Sequence, residues 1–372
     1  MSDHEKLLRQ LIDTMTASGS LRTEPWKNAA AATPRHEFLR SGFFRLVPGS
    51  APSAWAPVQQ DADGWLEACY ADESLVTQIA GTITPADIRG EIMREPTSSS
   101  TLPSLVLRML EDLNVEQKMK VLEIGTGTGY STAVLCARQG GGNVTSIEYD
   151  QEVALRAREA LSRLGTFPNL LTGDGLLGDD EGAPYDRIIA TCAVRTVPTA
   201  WLQQTRPGGQ ILTTISGWLN ASELVRLTVH DDGTASGPVL AGHVSFMLAR
   251  PHLAPPLGML PDLSAGEKRE AILGPDVLDD WTTRFIAQFA VPTAQRLKLQ
   301  HAGHDEDVLV DTETGSFAAL YEEDGRWIVR QAGPEALWDA VEEQLGHWHT
   351  AGTPPVKEAT VRVTPEGQSI HW

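Results

Sequence analysis

Val121-Leu122-Glu123-Ile124-Gly125-Thr126-Gly127-Thr128-Gly129-Tyr130 carries an apolar strand straight into three glycines at alternate positions, and a helical pattern opens directly after them. Glycine is needed where the backbone must bend sharply and let a ligand approach, because a Cβ there would clash. The apolar runs that follow have strand length and alternate with helical patterns: NVTSIEYD at 143–150, a helix over 151–164, NLLTGDG at 169–175, YDRIIATCA at 185–193, a short helix around 198–204 and GGQILTTIS at 208–216. Strict alternation of this kind predicts βαβ units, a parallel sheet and helices on both faces, here a doubly wound α/β core.

Around that core the pattern changes. Residues 1–15, MSDHEKLLRQLIDTM, place Leu7, Leu8, Leu11, Ile12 and Met15 on one helical face, a pattern unlike an export signal. Residues 83–100 are rich in turn formers and end in a serine run, while residues 250–262 hold four prolines and read as a linker. Beyond it, 307–311, 316–321 and 326–331 alternate apolar and polar residues as a meander, followed by a helix carrying Leu337, Trp338, Val341, Leu345 and Trp348, and a last strand at 359–363. We therefore expect three segments: an N-terminal helical region with an acceptor-site insertion at 1–101, a ligand-binding core at 102–250, and a C-terminal α+β extension at 251–372.

Composition narrows the function. The 372 residues carry 30 Lys plus Arg against 49 Asp plus Glu, a net charge of −19, which disfavours phosphate backbones and anionic membrane surfaces. More than half of that excess lies from residue 251 onward, where 20 acidic residues face 9 basic ones. Cys69, Cys136 and Cys192 are scattered without CxxC spacing, so neither a disulfide framework nor a zinc knuckle is expected, and a reducing cytoplasm fits. His301, His304, His347 and His349 lie in separate predicted elements with no reason to meet, and no metal is expected.

Two positions support a nucleoside ligand. Glu148 ends the second core strand, where doubly wound folds place an acid that accepts ribose hydroxyls, and Asp174 stands between Gly173 and Gly175, where a carboxylate can meet an adenine edge. A structural glycine turn, a solvated strand-end Glu and a plain Asp-Gly turn are the bland alternatives. A hydride-cofactor fingerprint GxGxxG would need Gly at 130, where the chain has Tyr.

The ExGxGxG text resembles motif I of the class I S-adenosylmethionine methyltransferases. Further texts resemble the protein L-isoaspartate O-methyltransferase family: TPRHEFL at 33–39, YAD at 70–72, VLEIGTGTGYSTAVLC, the GDG triplet, APYDRII at 183–189 and RPGG at 206–209. The resemblance implies S-adenosylmethionine as cofactor, a Rossmann-like core, and cofactor contacts among Glu123, Gly125, Thr126, Gly127, Gly129, Tyr130, Glu148, Tyr149, Asp174 and Gly175. It also implies an acceptor-side hydroxyl two residues before a proline. Here Thr101 precedes Pro103 at that spacing, with Ser100 beside it, although the same SSST run could instead cap a helix.

Members of the repair type are near the size of the core alone, so the C-terminal extension and the extra residues between Leu75 and Ser98 suggest a dedicated substrate. The layout resembles an offshoot that methylates an Asp side chain of a ribosomally made peptide, either a lanthipeptide or an already macrocyclised graspetide, with collapse of the ester to an aspartimide. General isoaspartyl repair is the alternative. Neither reading requires a general base, since the accepting carboxylate is ionised at neutral pH.

Overall fold

The computed structural model describes residues 2–372, which divide into two compact units: residues 2–191 with Ala200–Leu212, and Cys192–Thr199 with Thr213–Trp372. The expected divisions at 101/102 and 250/251 therefore both fall inside a unit.

The first unit opens with helices α1 (Asp3–Ala17) and α2 (Glu24–Ala31). The apolar face of α1 buries Leu8, Leu11 and Met15, and a capping box between Ser2 and Glu5 starts it. Next come strands β1 (Phe43–Leu46) and β2 (Trp55–Val58), helix α3 (Trp65–Cys69), and strands β3 (Leu75–Ile79) and β4 (Pro96–Ser100). These four strands form an antiparallel sheet in the order β2-β1-β3-β4. The sheet adds strands to the region expected to be helical with an acceptor-site insertion. Short strands broken by Pro and Ser carry little period-2 signal; their pairing comes from partners distant in sequence.

Helix α4 (Pro103–Asp112) follows. The serine run does not cap it: Leu102 occupies the N-cap without a side-chain bond, and the Ser104 N–H donates instead to Asp72 Oδ1 at 2.9 Å. The core then runs β5 (Val121–Ile124), α5 (Tyr130–Gln139), β6 (Val144–Glu148), α6 (Gln151–Arg163), β7 (Asn169–Thr172), β8 (Tyr185–Val194), α7 (Thr199–Gln204) and β9 (Thr205–Ser216). Strands β8, β5, β6 and β7 are parallel neighbours in that order. The chain thus leaves β5 toward β6 and later returns to its other side as β8. That reversal is where open α/β sheets form a ligand crevice beyond the strand ends.

In the second unit, β10 (Ser222–Val229) and β11 (Ala235–Pro238) precede β12 (Glu267–Glu270), α8 (Trp281–Ala287), β13 (Ala294–His301), β14 (His304–Asp311), β15 (Phe317–Glu323), β16 (Arg326–Ala332), α9 (Leu337–Thr350), β17 (Thr360–Thr364) and β18 (Gly367–His371). The expected three-strand meander is the middle of a five-stranded antiparallel sheet, β12-β16-β15-β14-β13, while β17 and β18 pair onward from β11.

Alternation along β14 separates the two faces of the five-stranded sheet. Leu309 joins Ile286, Trp338, Val341 and Leu345 under the helices, and Val308 and Val310 meet Leu257, Leu260 and Leu263. The proline-rich passage is therefore not a free linker, because its leucines cover a sheet face. His301 and His304 pair across the β13–β14 hairpin, whereas His347 and His349 lie in the last turn of α9. All three cysteines are free, and among the described residues no helix is long and apolar enough to cross a membrane.

Trp338 is fully buried, and its indole N–H donates to the Leu273 carbonyl at 3.2 Å. Trp338→Ala should destabilise the protein by about 3–5 kcal/mol through cavity formation. Urea denaturation measures this, and a loss under about 1 kcal/mol would contradict the packing described.

Candidate functional site

Three strand ends of the first unit bring the expected residues together. After β5 the backbone turns through positive φ at Gly125, Gly127 and Gly129. At Gly127 (φ +56°) an added Cβ would lie 3.3 Å from the Ser99 carbonyl oxygen, so the loop and β4 approach each other backbone to backbone. At Gly129 (φ +89°) it would sit 3.4 Å from Ala157 and Leu161 of α6. The loop is therefore held on two sides.

Glu148 shapes the same loop. Its Oε2 accepts the Gly127 N–H at 2.8 Å and its Oε1 accepts the Asp150 N–H at 3.0 Å. Asp150 caps α6 through the Glu152 and Val153 N–H groups and also accepts from Gln78 Nε2 at 3.1 Å. After β7, Asp174 Oδ1 accepts the Leu176 N–H, and the Gly175 carbonyl receives the Trp201 indole N–H. An added Cβ at Gly175 would meet Ile124 at 2.5 Å, which locks this turn against the end of β5. Tyr149 lies between these turns and is half exposed.

Three expected contacts face inward instead. Glu123 is fully buried, with Oε2 accepting from Thr132 Oγ1 at 2.5 Å and Ser146 Oγ at 2.7 Å, and burial raises its pKa above the ordinary carboxylate value. The Thr126 hydroxyl joins this cluster at 2.7 Å from Ser146 Oγ. Tyr130 is buried edge-on to Phe38, its hydroxyl has no partner, and burial pushes its pKa up to about 12. These side chains support the loop from beneath.

The acceptor segment lies alongside. Ser100 is buried and its Oγ accepts from Arg35 Nε at 3.2 Å, while Thr101 is half-buried. A cavity of about 860 Å³ borders Gly127 and Thr128, with the 37–42 turn, residues 84–86 and the Arg156 face of α6 among its walls.

Sequence reasoning singled out neither Arg35 nor Gln78 as a site residue. Both lie outside the core motifs, and only tertiary pairing brings them to the acceptor segment and to the α6 cap. His36, in the same PRHEF text, pairs through Nδ1 with the Tyr70 hydroxyl at 2.6 Å.

Comparison with known proteins follows the same outline. The family described as "Protein-L-isoaspartate(D-aspartate) O-methyltransferase (PCMT)" matches residues 76–247. A protein-L-isoaspartate O-methyltransferase of Pyrobaculum islandicum is 30% identical over 210 residues, 55% of this chain and 82% of its own. One from Koribacter versatilis is 32% identical over 219 residues, 58% of this chain and 80% of its own. A solved protein-L-isoaspartate O-methyltransferase shares the fold with a TM-score of 0.58 at 21% identity, spanning 98% of this chain and 99% of that one. The shared fold therefore reaches into the C-terminal extension.

Two outcomes are expected. Glu148→Ala should weaken S-adenosylhomocysteine binding about 10- to 100-fold by calorimetry, because it frees the loop and removes a charged acceptor worth about 1.5–3 kcal/mol; unchanged affinity would count against the assignment. Burial lowers the pKa of His36 below its usual value of about 6.5. The unfolded chain then binds that proton more tightly, so the stability concerned is present above about pH 6.5 and falls as pH drops through the lower folded value. Unfolding midpoints from pH 7.5 to 5.5 should show this slope, and His36→Gln should flatten it.

Proposed function

The chain belongs to the protein-L-isoaspartate O-methyltransferase family, and from that premise we propose that it methylates the free carboxylate of isoaspartyl residues in proteins or peptides. Membership makes it an S-adenosylmethionine-dependent carboxyl O-methyltransferase. When bound, S-adenosylmethionine supplies an electrophilic methyl group. Gly125 to Gly129, Glu148, Tyr149 and the Asp174–Gly175 turn would hold it, since they gather at the ends of β5, β6 and β7 and the Glu148 carboxylate is bonded to the glycine loop itself.

The observation that carries the reading is the contact between Gly127 and the Ser99 carbonyl, which sets the hydroxyl-bearing residues 98–101 beside the glycine loop. An α-type carboxylate has a pKa of about 3.3–3.7 and is ionised at neutral pH, so the protein need not remove a proton. Its task is orientation, which can be worth roughly 7–11 kcal/mol. The Thr101 hydroxyl would donate to one carboxylate oxygen and leave the other free to attack. The methyl ester then loses methanol when the neighbouring backbone nitrogen closes a five-membered imide, a step that needs no side chain.

A second reading, an Asp side chain of a macrocyclised ribosomal peptide, draws support from the cavity beside Gly127, which residues 84–86 of the β3–β4 excursion help to wall. The named relatives favour the isoaspartyl substrate.

The test offers the enzyme a linear isoaspartyl peptide, the matching Asp peptide and a crosslinked Asp peptide. A gain of one methyl on the first alone supports isoaspartyl repair. A gain on the crosslinked peptide alone would overturn that reading in favour of the second. Thr101→Ala should cut kcat/KM about 10- to 100-fold, for a lost contact of about 1.5–3 kcal/mol, with S-adenosylhomocysteine affinity intact. Thr101→Ser should keep most of the activity, and unchanged kinetics in Thr101→Ala would remove Thr101 from the site.

A further inference from the structure

Arg35 is a buried cation with no carboxylate bonded to it. It is fully inaccessible, and its donors end on neutral oxygens of two chain segments. Nη1 donates to the Cys69 and Ala71 carbonyls at 3.2 and 2.9 Å, and Nη2 to those of Glu73, Ser100 and Thr101 at 2.8, 3.1 and 3.3 Å. Nε donates to Ser100 Oγ at 3.2 Å. All five N–H groups of the guanidinium are thereby used, so Arg35 has none left for a ligand. Burial pushes its pKa down to about 10, which leaves it cationic at neutral pH.

Burying a charge is costly unless it is fully hydrogen-bonded. Half of the bonds that satisfy this one converge on two consecutive residues, Ser100 and Thr101. We propose that Arg35 is a positioning residue for methyl transfer: by gripping both carbonyls and the Ser100 hydroxyl, it fixes the backbone from which Thr101 presents its hydroxyl to the accepting carboxylate. The inference rests on the acceptor-site reading above and deepens it.

Threonine is β-branched and stiff at χ1, so a fixed backbone at residue 101 also fixes where its hydroxyl points. The guanidinium is suited to this because its donors diverge in one rigid plane and reach 69–73 and 100–101 together, whereas an ammonium has three donors at a single point. Ser100 then acts through Arg35 and not on substrate, in keeping with its burial.

The test compares Arg35→Lys, Ser100→Ala and Ser100→Thr in the full-length protein, using S-adenosylmethionine and the linear isoaspartyl peptide. Arg35→Lys should lower kcat at least tenfold and Ser100→Ala about three- to tenfold. Peptide KM and S-adenosylhomocysteine affinity should stay within about threefold, and Ser100→Thr, which restores the hydroxyl, should recover kcat. Hydrogen exchange gives a readout independent of substrate: amides of 100–104 should exchange faster in Arg35→Lys, with 125–129 unchanged. Wild-type kcat in Ser100→Ala, or unaltered protection of 100–104 in Arg35→Lys, would overturn the proposal. If the wild type methylated none of the peptides, the functional reading would fall while the exchange result still judged the clamp.

Discussion

The backbone of Gly127 is the point on which the site depends. Its N–H is held by the Glu148 carboxylate, and the Ser99 carbonyl oxygen lies only 3.3 Å from where a Cβ would stand. One residue thus couples the end of β5, the end of β6 and strand β4. Its left-handed conformation and the nearness of β4 both favour glycine, since a Cβ there would be strained and would push against the Ser99 carbonyl. Because β5 stands at the reversal of strand order, this coupling occurs where the fold leaves an open crevice.

Two buried polar clusters make the crevice rigid by different means. Under the loop, Glu123, Thr132, Ser146 and Thr126 share hydrogen bonds in a space closed to solvent. Beside it, Arg35 binds only carbonyls and one hydroxyl. In surroundings of low dielectric such bonds are strong and their loss is expensive, so each cluster tolerates one arrangement. For a reaction whose nucleophile is already ionised, a fixed geometry is the main thing a protein can contribute.

How much of this was legible depended on whether the signal was local. The parallel core could be read because each strand is a continuous apolar run beside an amphipathic helix, and Gly125 to Gly129 because alternate glycines at a strand end have few other uses. β4 could not: PTSSS has the composition of a loop, and it is a strand because β3 pairs with it and Arg35 satisfies its end. The leucines of 257–263 look like linker residues until the exposed face of β14 and β15 gives them something to cover. Glu123 matched the motif, yet its direction followed from hydroxyls nine and 23 residues away.

The sequence by itself determined the α/β class, the glycine loop after β5 and the family resemblance, since these rest on residues close together in the chain and on periodicities of 2 and 3.6. Tertiary structure alone decided that residues 98–101 lie against the glycine loop, that Ser100 is bound by Arg35 while Thr101 stays half-buried, and that Tyr130 faces inward. The physical reason is that hydrogen bonds and excluded volume act between atoms near in space. Arg35 and Ser100 stand 65 positions apart, and nothing along the chain marks their meeting until it has folded.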